Sequence, residues 1–305
     1  MRYRTSGIDG VVNIYKEKGY TSHDVVAVVR KITGCKTGHT GTLDPDAEGV
    51  LPVCLGKATR ISDYIASETK EYEAVVSFGT ATDTQDASGA VVAEKAMAIG
   101  EDALRDVIAS FIGDYEQIPP MYSALKVNGQ KLYDLARAGV EVERKARKIH
   151  IHNIEVLEMD YPRSARIHVV CSKGTYIRTL CTDIGEKADS AAHMASLVRT
   201  RTGAFLLRKS IVLDTLREMA EAGRLLEAVL PMREALAGFR TAVADGAAVG
   251  KLLYNGNAVP LQHVRLPDAV AEGERLAVTD ENDTLVGIYT VSAAEGCMRP
   301  AVVLL

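Results

Sequence analysis

The stretch GHTGTLDPDAEGVLPVCLGKATR, residues 38–60, combines closely spaced acids with glycine turns and an apolar run, and its interpretation decides that of the whole chain. Asp44 opens an alternating run of acids that ends at Gly49, as in the first half of an EF-hand calcium loop. Such a loop needs a bidentate glutamate at its twelfth position, which here is Leu55. We therefore expect no calcium site in this stretch.

The same glycines do not form a phosphate-binding P-loop. Gly49 lies seven residues before Gly56 instead of five, and Ala58 stands where a magnesium-ligating serine or threonine is required. What remains is a loop shaped by glycine and by Pro45, followed by a buried segment. Such a loop can present the carboxylate of Asp44 rigidly, as catalysis requires, although Asp-Pro is also an ordinary turn pair.

The composition is that of a folded protein. Of 305 residues, 47% are hydrophobic and 25% charged, and the length predicts one large and one small domain. No apolar run approaches the roughly 18 residues of a membrane helix and the first residues lack a signal-peptide core, so we expect a cytoplasmic protein with no membrane partner. Five cysteines without a C-x-x-C pair favour reduced thiols over zinc ligands or disulfides.

Charge is unevenly distributed along the chain, although the formal net charge is only −4. Residues 117–148 carry seven lysines and arginines against three acids, which predicts a basic surface. Residues 241–305 carry four basic against eight acidic residues. Charge patterning alone favours a solvent-exposed face for each of these two segments. Motifs must therefore decide whether the basic segment binds RNA.

Hydrophobic periodicity predicts an α+β protein with a mixed, mostly antiparallel sheet flanked by helices and loops, because strands and helices do not alternate regularly. Strands are expected over residues 11–14, 72–78, 149–159 and 166–170. Helices are expected over residues 22–32, 101–112, 132–138, 179–188 and 214–237. From about residue 240, glycine and asparagine turns separate short strands, which predicts a small β-rich domain.

The motif G-H-T-G-T-L-D-P-x-A-x-G-V-L, residues 38–51, resembles the catalytic motif of the TruB-type tRNA pseudouridine synthases. Further blocks similar to that family follow in the same order over nearly the whole chain: GYTS at residues 19–22, KEY at 70–72, GTATDTQD at 79–86, QIPPMYSA at 117–124, CSKGTYIRTL at 171–180 and HMASLVRTRTG at 193–203. One departure is Glu17, which follows Lys16 where the family usually has proline.

The resemblance implies a pseudouridine synthase fold over residues 1–239, an RNA-gripping insertion at about 117–148, and a PUA-like β-barrel domain over residues 240–305. It implies isomerisation of uridine to pseudouridine at position 55, in the T-arm loop of tRNA. The implied partner is the T-arm stem-loop of tRNA, with no metal, no cofactor and no protein partner.

Three residues match the family's catalytic positions, and the chemistry gives each a reason. Asp44 is expected to act as the nucleophile or base, since a carboxylate can do either, at the sugar or at the base. Arg178 is expected to hold Asp44 ionised, because a nearby opposite charge lowers a carboxylate pKa. Tyr72 is expected to stack on the flipped base, which is worth roughly 1–3 kcal/mol, and to move the C5 proton.

Other residues are expected to bind the RNA or the flipped base. His39 matches the histidine that fills the space the flipped base leaves, and Tyr176 and Leu197 match packing residues of the pocket. Asp83 and Asp86 are expected to brace a loop instead of acting as acids. Basic residues expected to contact RNA are Lys16, Lys126, Lys131, Arg144 and Lys148.

Two other classes of function are compatible with parts of the sequence. A non-catalytic RNA-binding or tRNA-folding protein would use the same surface, although the presence of Asp44, Tyr72 and Arg178 speaks against loss of chemistry. A metal-dependent phosphoesterase would use the acids at residues 44–48, but histidines and further carboxylates at metal-ligand spacing are missing.

Overall fold

The computed structural model describes residues 7–123, 125–127, 129–140 and 142–305, with the backbone alone at residues 126, 131, 133 and 137. The helices of this part are α1 Ser22–Thr33, α2 Ser62–Ala66, α3 Glu101–Ala109, α4 Leu132–Arg137, α5 Ile177–Lys187, α6 Leu213–Glu221, α7 Met232–Ala235 and α8 Gly246–Tyr254. No helix among the described residues is long and apolar enough to cross a membrane.

The described strands fall into a large sheet, a smaller sheet and a short ladder. In chain order, the strands begin with β1 Gly10–Lys16, β2 Thr37–His39, β3 Glu48–Leu55, β4 Lys70–Thr82, β5 Val91–Lys95, β6 Gly113–Gln117, β7 Lys126–Val127, β8 Gln130–Lys131, β9 Arg147–Asp160, β10 Ser164–Cys171 and β11 Ala192–Thr202. Strands β7 and β8 form the short ladder. The others are β12 Phe205–Leu206, β13 Val229–Leu230, β14 Thr241–Ala244, β15 Val259–Pro260, β16 Val264–Arg265, β17 Arg275–Thr279, β18 Leu285–Ser292 and β19 Cys297–Val303.

The large sheet has eleven strands, with the order β13-β1-β3-β11-β4-β10-β9-β6 along its main path. The strand pairs described in this sheet are antiparallel except for β3 and β11, which run parallel where Glu48 and Gly49 pair with Val198 and Arg199. The predicted mixed, mostly antiparallel α+β architecture is confirmed. Strand β4 lies next to both β10 and β11, so the residues of its buried face sit at the centre of the sheet.

Helix α1 begins as its sequence predicts. The Thr21 side chain accepts a hydrogen bond from the Asp24 backbone N–H while the Asp24 carboxylate accepts from the Thr21 backbone, a reciprocal capping box. The helix ends where Gly34 adopts a left-handed φ of 70°. Its buried valines pack into the core formed on the large sheet.

The helix expected over residues 214–237 is wrong as a single element. Helix α6 ends at Glu221, and Gly223 takes a left-handed φ of 72° that an α-helix cannot continue. A short 3-10 turn and β13 follow, and Pro231 precedes α7. The hydrophobic spacing was compatible with one long helix, but β13 instead pairs with β1 at the edge of the large sheet.

A six-stranded sheet with the order β15-β19-β18-β17-β14-β16 follows the large sheet in the chain. It encloses its own apolar core, in which Tyr289 and Leu276 are buried, and its barrel-like form fits the predicted PUA-like domain. Another apolar cluster joins the two sheets, because Ile288 and Leu304 pack with Val50 of β3. The domain boundary at residue 240 stays a prediction.

Candidate active site

The loop that carries Asp44 is held at several points. Leu43 and Ala47 on either side are buried in the core. The Ser22 hydroxyl donates to the Leu43 carbonyl at 3.0 Å and accepts from the Leu43 N–H at 2.8 Å. This pairing explains why the block at residues 19–22 accompanies the Asp44 motif in the sequence: the start of α1 fixes the loop.

Lys16 holds the other side of the same loop. Its side chain has no exposed surface, and its ammonium donates to the carbonyls of Glu17, Tyr20 and Pro45 at 3.1, 2.6 and 3.0 Å. Burial lowers the pKa of Lys16 to about 8. The geometry makes Lys16 a positioning residue for the Asp44–Pro45 turn and offers no support for its predicted contact with RNA.

Asp44 and Arg178 form a two-point ion pair. The Asp44 Oδ2 lies 2.9 Å from the Arg178 Nε, and its Oδ1 accepts from Nη2 at 3.3 Å. The Arg178 side chain is only 5% exposed and also donates to the carbonyls of Thr84 and Tyr122 at 2.9 and 2.7 Å. With its planar fork satisfied on several sides, Arg178 fixes the orientation of the carboxylate.

The pKa of Asp44 departs from the sequence-based expectation. Burial raises it above its usual range, the Arg178 guanidinium lowers it, and the carboxylate of Asp86 raises it again. Arg178 lowers the pKa of Asp44 as expected, but the net shift is upward because burial has the larger effect. A guanidinium can orient a carboxylate without overcoming the loss of water around it, because desolvation penalises the charged form.

Asp86 and Asp83 brace the loop after β4, as expected. Asp86 Oδ1 accepts hydrogen bonds from Thr84 and from the Ser88 backbone and hydroxyl, while its other oxygen lies 3.8 Å from Arg178. Asp83 Oδ1 accepts from the Ala90 N–H at 2.9 Å. Only Asp86 of this pair therefore adds charge to the Asp44–Arg178 ion pair.

A cavity of about 340 Å³ opens beside Asp44. Predicted site residues that line it are Asp44, Tyr72, Tyr176, Arg178 and Leu197. Tyr72 lies on β4, Leu197 on β11, and Tyr176 and Arg178 at the start of α5, and these elements pack together at the centre of the large sheet. Asp44 comes from the loop before β3, so residues over a hundred positions apart converge. A pocket of this size, with apolar walls and a few fixed polar groups, suits a planar base.

His39 is absent from the lining of this cavity and sits beside it on β2. Its Nδ1 accepts a hydrogen bond from the Gly41 N–H at 3.2 Å, which supports the turn leading to Asp44. Burial, together with Arg199 and His23, lowers the pKa of His39, so the ring is neutral near pH 7. Its predicted role in filling the space of the flipped base stays a prediction.

Two cavity residues, Lys70 and Arg199, were not among the predicted site residues. Lys70 lies on β4 in phase with Tyr72, and Arg199 pairs directly with Tyr72 across β4 and β11. Gly49 makes room for Arg199: a Cβ at Gly49 would lie 2.3 Å from the Arg199 carbonyl oxygen. The sequence contains a pattern that could have identified them: a charged side chain at the spacing of a strand's buried face is rare and indicates a specific role.

The basic segment 117–148 begins beside the cavity. Gln117, only 1% exposed, donates to the Tyr176 carbonyl at 3.0 Å and accepts from the Tyr176 N–H at 2.8 Å. Arg144 donates to the Pro119 carbonyl, and Lys148 pairs with Asp114 at 2.8 Å. The side chains of Lys126 and Lys131 lie outside the described residues, and their backbones pair in the ladder of β7 and β8.

No group of three or more His, Cys, Asp or Glu side chains among the described residues is arranged to hold a metal ion. The acids at positions 44, 46 and 48 do not converge: Asp44 pairs with Arg178, Asp46 lies 4.0 Å from Lys18, and Glu48 accepts from the Tyr15 hydroxyl. The donor set expected of the phosphoesterase alternative is therefore missing from the described part of the chain.

Known structures share this fold and extend over nearly the entire chain. A complex titled "Structure of H/ACA RNP bound to a substrate RNA containing 2'-deoxyuridine" contains a chain 27% identical, with a TM-score of 0.76, covering 97% of this chain and 85% of that one. A chain of a Cbf5-Nop10-Gar1 complex is 29% identical with a TM-score of 0.77, again covering 97% of this chain and 85% of that one. The fold is thus that of the pseudouridine synthases.

Sequence comparisons identify the family. The model "TruB family pseudouridylate synthase (N terminal domain)" matches residues 29–177, and "tRNA pseudouridylate synthase B C-terminal domain" matches residues 178–237. A "tRNA pseudouridine synthase B" from Geobacillus thermodenitrificans is 42% identical, covering 96% of this chain and 98% of the relative. One from Symbiobacterium thermophilum is 49% identical, covering 82% and 83%. The chain belongs to the TruB family of pseudouridylate synthases.

Proposed function

We propose that this enzyme isomerises uridine 55 in the T-arm loop of tRNA to pseudouridine, with Asp44 as the catalytic nucleophile or base. The observation that carries the proposal is the Asp44–Arg178 ion pair at the edge of a cavity that Tyr72, Tyr176 and Leu197 also line. The names of the curated relatives supply the substrate class, since they are called tRNA pseudouridine synthase B.

The reaction breaks the bond between N1 of uracil and C1′ of ribose and forms a bond between C5 and C1′. The C5 proton leaves and N1 gains a proton, so no atom is added or lost. Asp44 acts as a nucleophile or base at the sugar or at the base, and Arg178 keeps its carboxylate aimed at the cavity. Negative charge develops on the uracil ring in each of these routes before the new bond forms.

The uridine has to leave the stacked loop to reach Asp44, which costs a few kcal/mol. The aromatic rings of Tyr72 and Tyr176 and the side chain of Leu197 line the cavity and replace the stacking with neighbouring bases. Burial raises the pKa of the Tyr72 hydroxyl, whereas Arg199, which hydrogen-bonds to it, acts in the opposite direction. We expect this hydroxyl, which faces the proposed uracil pocket, to move the C5 proton.

The direct test uses unmodified tRNA transcript and an isolated T-arm stem-loop. We expect pseudouridine in both RNAs, with the same yield in the presence and absence of EDTA. A transcript with cytidine at position 55 is the matched control and should gain no pseudouridine. Pseudouridine in that control, or none in the unaltered transcript, would contradict the proposed target.

Replacing the Tyr72 hydroxyl should slow the late step of the reaction. The Tyr72→Phe variant keeps the ring that stacks on the base but loses the proton-transfer group, so we expect release of tritium from C5-labelled tRNA to slow by about 10²-fold or more. Tyr161→Phe is the control, because the Tyr161 hydroxyl bonds to the Ile99 carbonyl far from the cavity. Unchanged tritium release in Tyr72→Phe would show that the hydroxyl does not transfer the C5 proton and that Tyr72 only stacks on the base.

The pH dependence should follow the raised pKa of Asp44. A carboxylate with a raised pKa loses its charge as pH falls through that higher value, so the acid limb of the single-turnover rate should lie above the ordinary aspartate pKa of about 3.9. The Asp86→Asn variant removes a carboxylate that raises this pKa, and its acid limb should shift to lower pH. Asp83→Asn, in the same loop, should leave the limb where it is; equal shifts in both variants would refute the assignment.

The basic segment 117–148 should bind phosphates of the RNA. Neutralising Lys126, Lys131, Arg144 and Lys148 together should weaken tRNA binding and reduce the slope of log K against log salt by up to about 0.7–0.9 for each phosphate that no longer has a cationic partner. Lys148 should contribute least, because Asp114 already occupies it. Neutralising the four exposed basic residues of the acidic segment 241–305, Lys251, Arg265, Arg275 and Arg299, is the matched control and should leave the slope unchanged. Equal salt slopes for the two sets of variants would show that another part of the protein binds the RNA phosphates.

A further inference from the structure

Arg199 is a fully buried cation without an acidic partner in the described part of the chain. It is 1% exposed and is the largest of the fully buried side chains of the described residues. Its Nε donates to the Val50 carbonyl at 2.7 Å and its Nη2 to the Gly41 carbonyl at 3.2 Å. Among the salt bridges of the described residues none includes Arg199, in contrast to Arg178 beside it in the same cavity.

Lys70 adds a second cation at the same wall of the cavity. It is buried, and its ammonium donates to the carbonyls of Ala66 and Glu68. Burial, reinforced by Arg199, lowers the pKa of Lys70 to about 8, so the ammonium is still largely charged near pH 7. The partners of these two cations are thus neutral groups, backbone carbonyls for both and the Tyr72 hydroxyl for Arg199, and both cations line the cavity.

Burying charge without an ionic partner costs stability, so such an arrangement points to a compensating role. Fixed charges in a water-poor site contribute most where opposite charge develops during a reaction. The isomerisation creates negative charge on the uracil ring, shared by its ring nitrogen and carbonyl oxygens. Arg199 on β11 pairs with Tyr72 on the neighbouring strand β4, and Tyr72 is expected to stack on that ring.

We propose that Arg199 is a further catalytic residue, which stabilises the negative charge that develops on the uracil ring, with Lys70 adding to its effect. The inference rests on the proposed function, because it concerns the ring that the enzyme detaches. The depth of Arg199 favours the base as its ligand: a backbone phosphate stays near the protein surface, and the guanidinium has almost no exposure there.

The test compares uridine with 5-fluorouridine at the target position of the T-arm stem-loop. Fluorine at C5 stabilises the uracil anion. The reaction of 5-fluorouridine should therefore depend less on stabilisation by Arg199 than the reaction of uridine does. We expect Arg199→Met to lower the single-turnover rate with uridine by about 10²–10³-fold. The loss with 5-fluorouridine, followed as disappearance of that nucleoside, should be at least about tenfold smaller, while the Kd for the RNA changes by less than about threefold.

Arg201→Met is the matched control. Arg201 lies on the same strand, but it is partly exposed and pairs with Glu71 at 2.9 Å, so its loss should affect both substrates little. Arg199→Lys, which keeps the charge without the planar fork, should fall between the wild type and Arg199→Met. If Arg199→Met unfolds, as thermal unfolding would show, Lys70→Met carries the same comparison, with the same selective loss for uridine.

Equal losses with uridine and 5-fluorouridine would overturn the proposal and leave Arg199 a positioning residue. Because Arg199 also bonds to the Tyr72 hydroxyl and 5-fluorouridine has no C5 proton, the comparison is repeated in Tyr72→Phe. A selective loss that disappears in that background would likewise make Arg199 a positioning residue, acting through Tyr72. A loss confined to RNA affinity, with a lower salt slope, would also overturn it by making Arg199 a phosphate ligand. Failure of the proposed function itself gives a different result, because the wild-type protein would then form no pseudouridine from uridine.

Discussion

The Asp44→Asn variant is expected to lose turnover by roughly 10⁴-fold or more while it binds tRNA with nearly unchanged affinity. The amide has the shape of the carboxylate and can accept one hydrogen bond from Arg178, but it carries no negative charge and cannot act as the nucleophile or base. Single-turnover pseudouridine formation and the Kd of a labelled T-arm stem-loop measure the two effects separately.

Asp46→Asn is the control for that experiment. Asp46 lies two residues away in the same loop, is exposed, and is 4.0 Å from Lys18, so its loss should change the rate by less than about twofold. Turnover by Asp44→Asn within an order of magnitude of the wild type would remove Asp44 from the chemistry. A matching defect in Asp46→Asn would show that the loop, and not the carboxylate, was disturbed.

The Arg178→Lys variant is expected to lose about 10²-fold in rate or more, because one ammonium cannot replace a fork that holds both oxygens of Asp44. The bonds from Arg178 to the carbonyls of Thr84 and Tyr122 would be weakened as well. The same change should lower the melting temperature, since Arg178 is buried and its removal leaves these acceptors poorly satisfied.

Arg166→Lys provides the comparison for Arg178. Arg166 forms exposed ion pairs with Glu73 and Glu158 on the sheet surface, where exchange of arginine for lysine should have little effect on rate or melting temperature. A fast, stable Arg178→Lys enzyme would show that the bidentate geometry is dispensable. The effect on rate should exceed any effect on RNA affinity, because Arg178 is proposed to act through Asp44.

Local patterns predicted the elements that depend on local causes. Helix α1 was expected over residues 22–32 and extends over Ser22–Thr33, because its cap and its apolar spacing are both encoded within a few residues. The strand that carries Tyr72 was predicted from its alternation, and β4 buries every second residue over Lys70–Phe78. The element that failed, residues 214–237, depended on pairing with the distant β1.

The site was only partly predictable for a similar reason. Asp44, Tyr72 and Arg178 are found by motif, but motifs do not show which buried charges surround them. The upward pKa shift of Asp44 depends on burial by segments far apart in the chain. The three carbonyls around Lys16, and the carbonyls that take the place of an acid beside Arg199 in the described structure, are likewise properties of the folded chain.

The C-terminal sheet is joined to the large sheet in a way the sequence did not indicate. Ile288 and Leu304 share an apolar cluster with Val50 and Ile61, and Arg275 lies over the Tyr64 ring at 5.5 Å. Cutting the chain near residue 240 would expose this cluster to water. Substitutions on the surface of the C-terminal domain therefore test its contribution to RNA binding better than a truncation does.

The proposed target and the proposed role of Asp44 are tested together by position-resolved mapping of pseudouridine in an unmodified tRNA transcript, after incubation with the wild-type protein and with Asp44→Asn. We expect one modified position, nucleotide 55 in the T-arm loop, with the wild type, and no modification with Asp44→Asn over the same time. Modification of a different uridine would refute the proposed target, and modification of nucleotide 55 by a folded Asp44→Asn protein would refute the proposed role of Asp44.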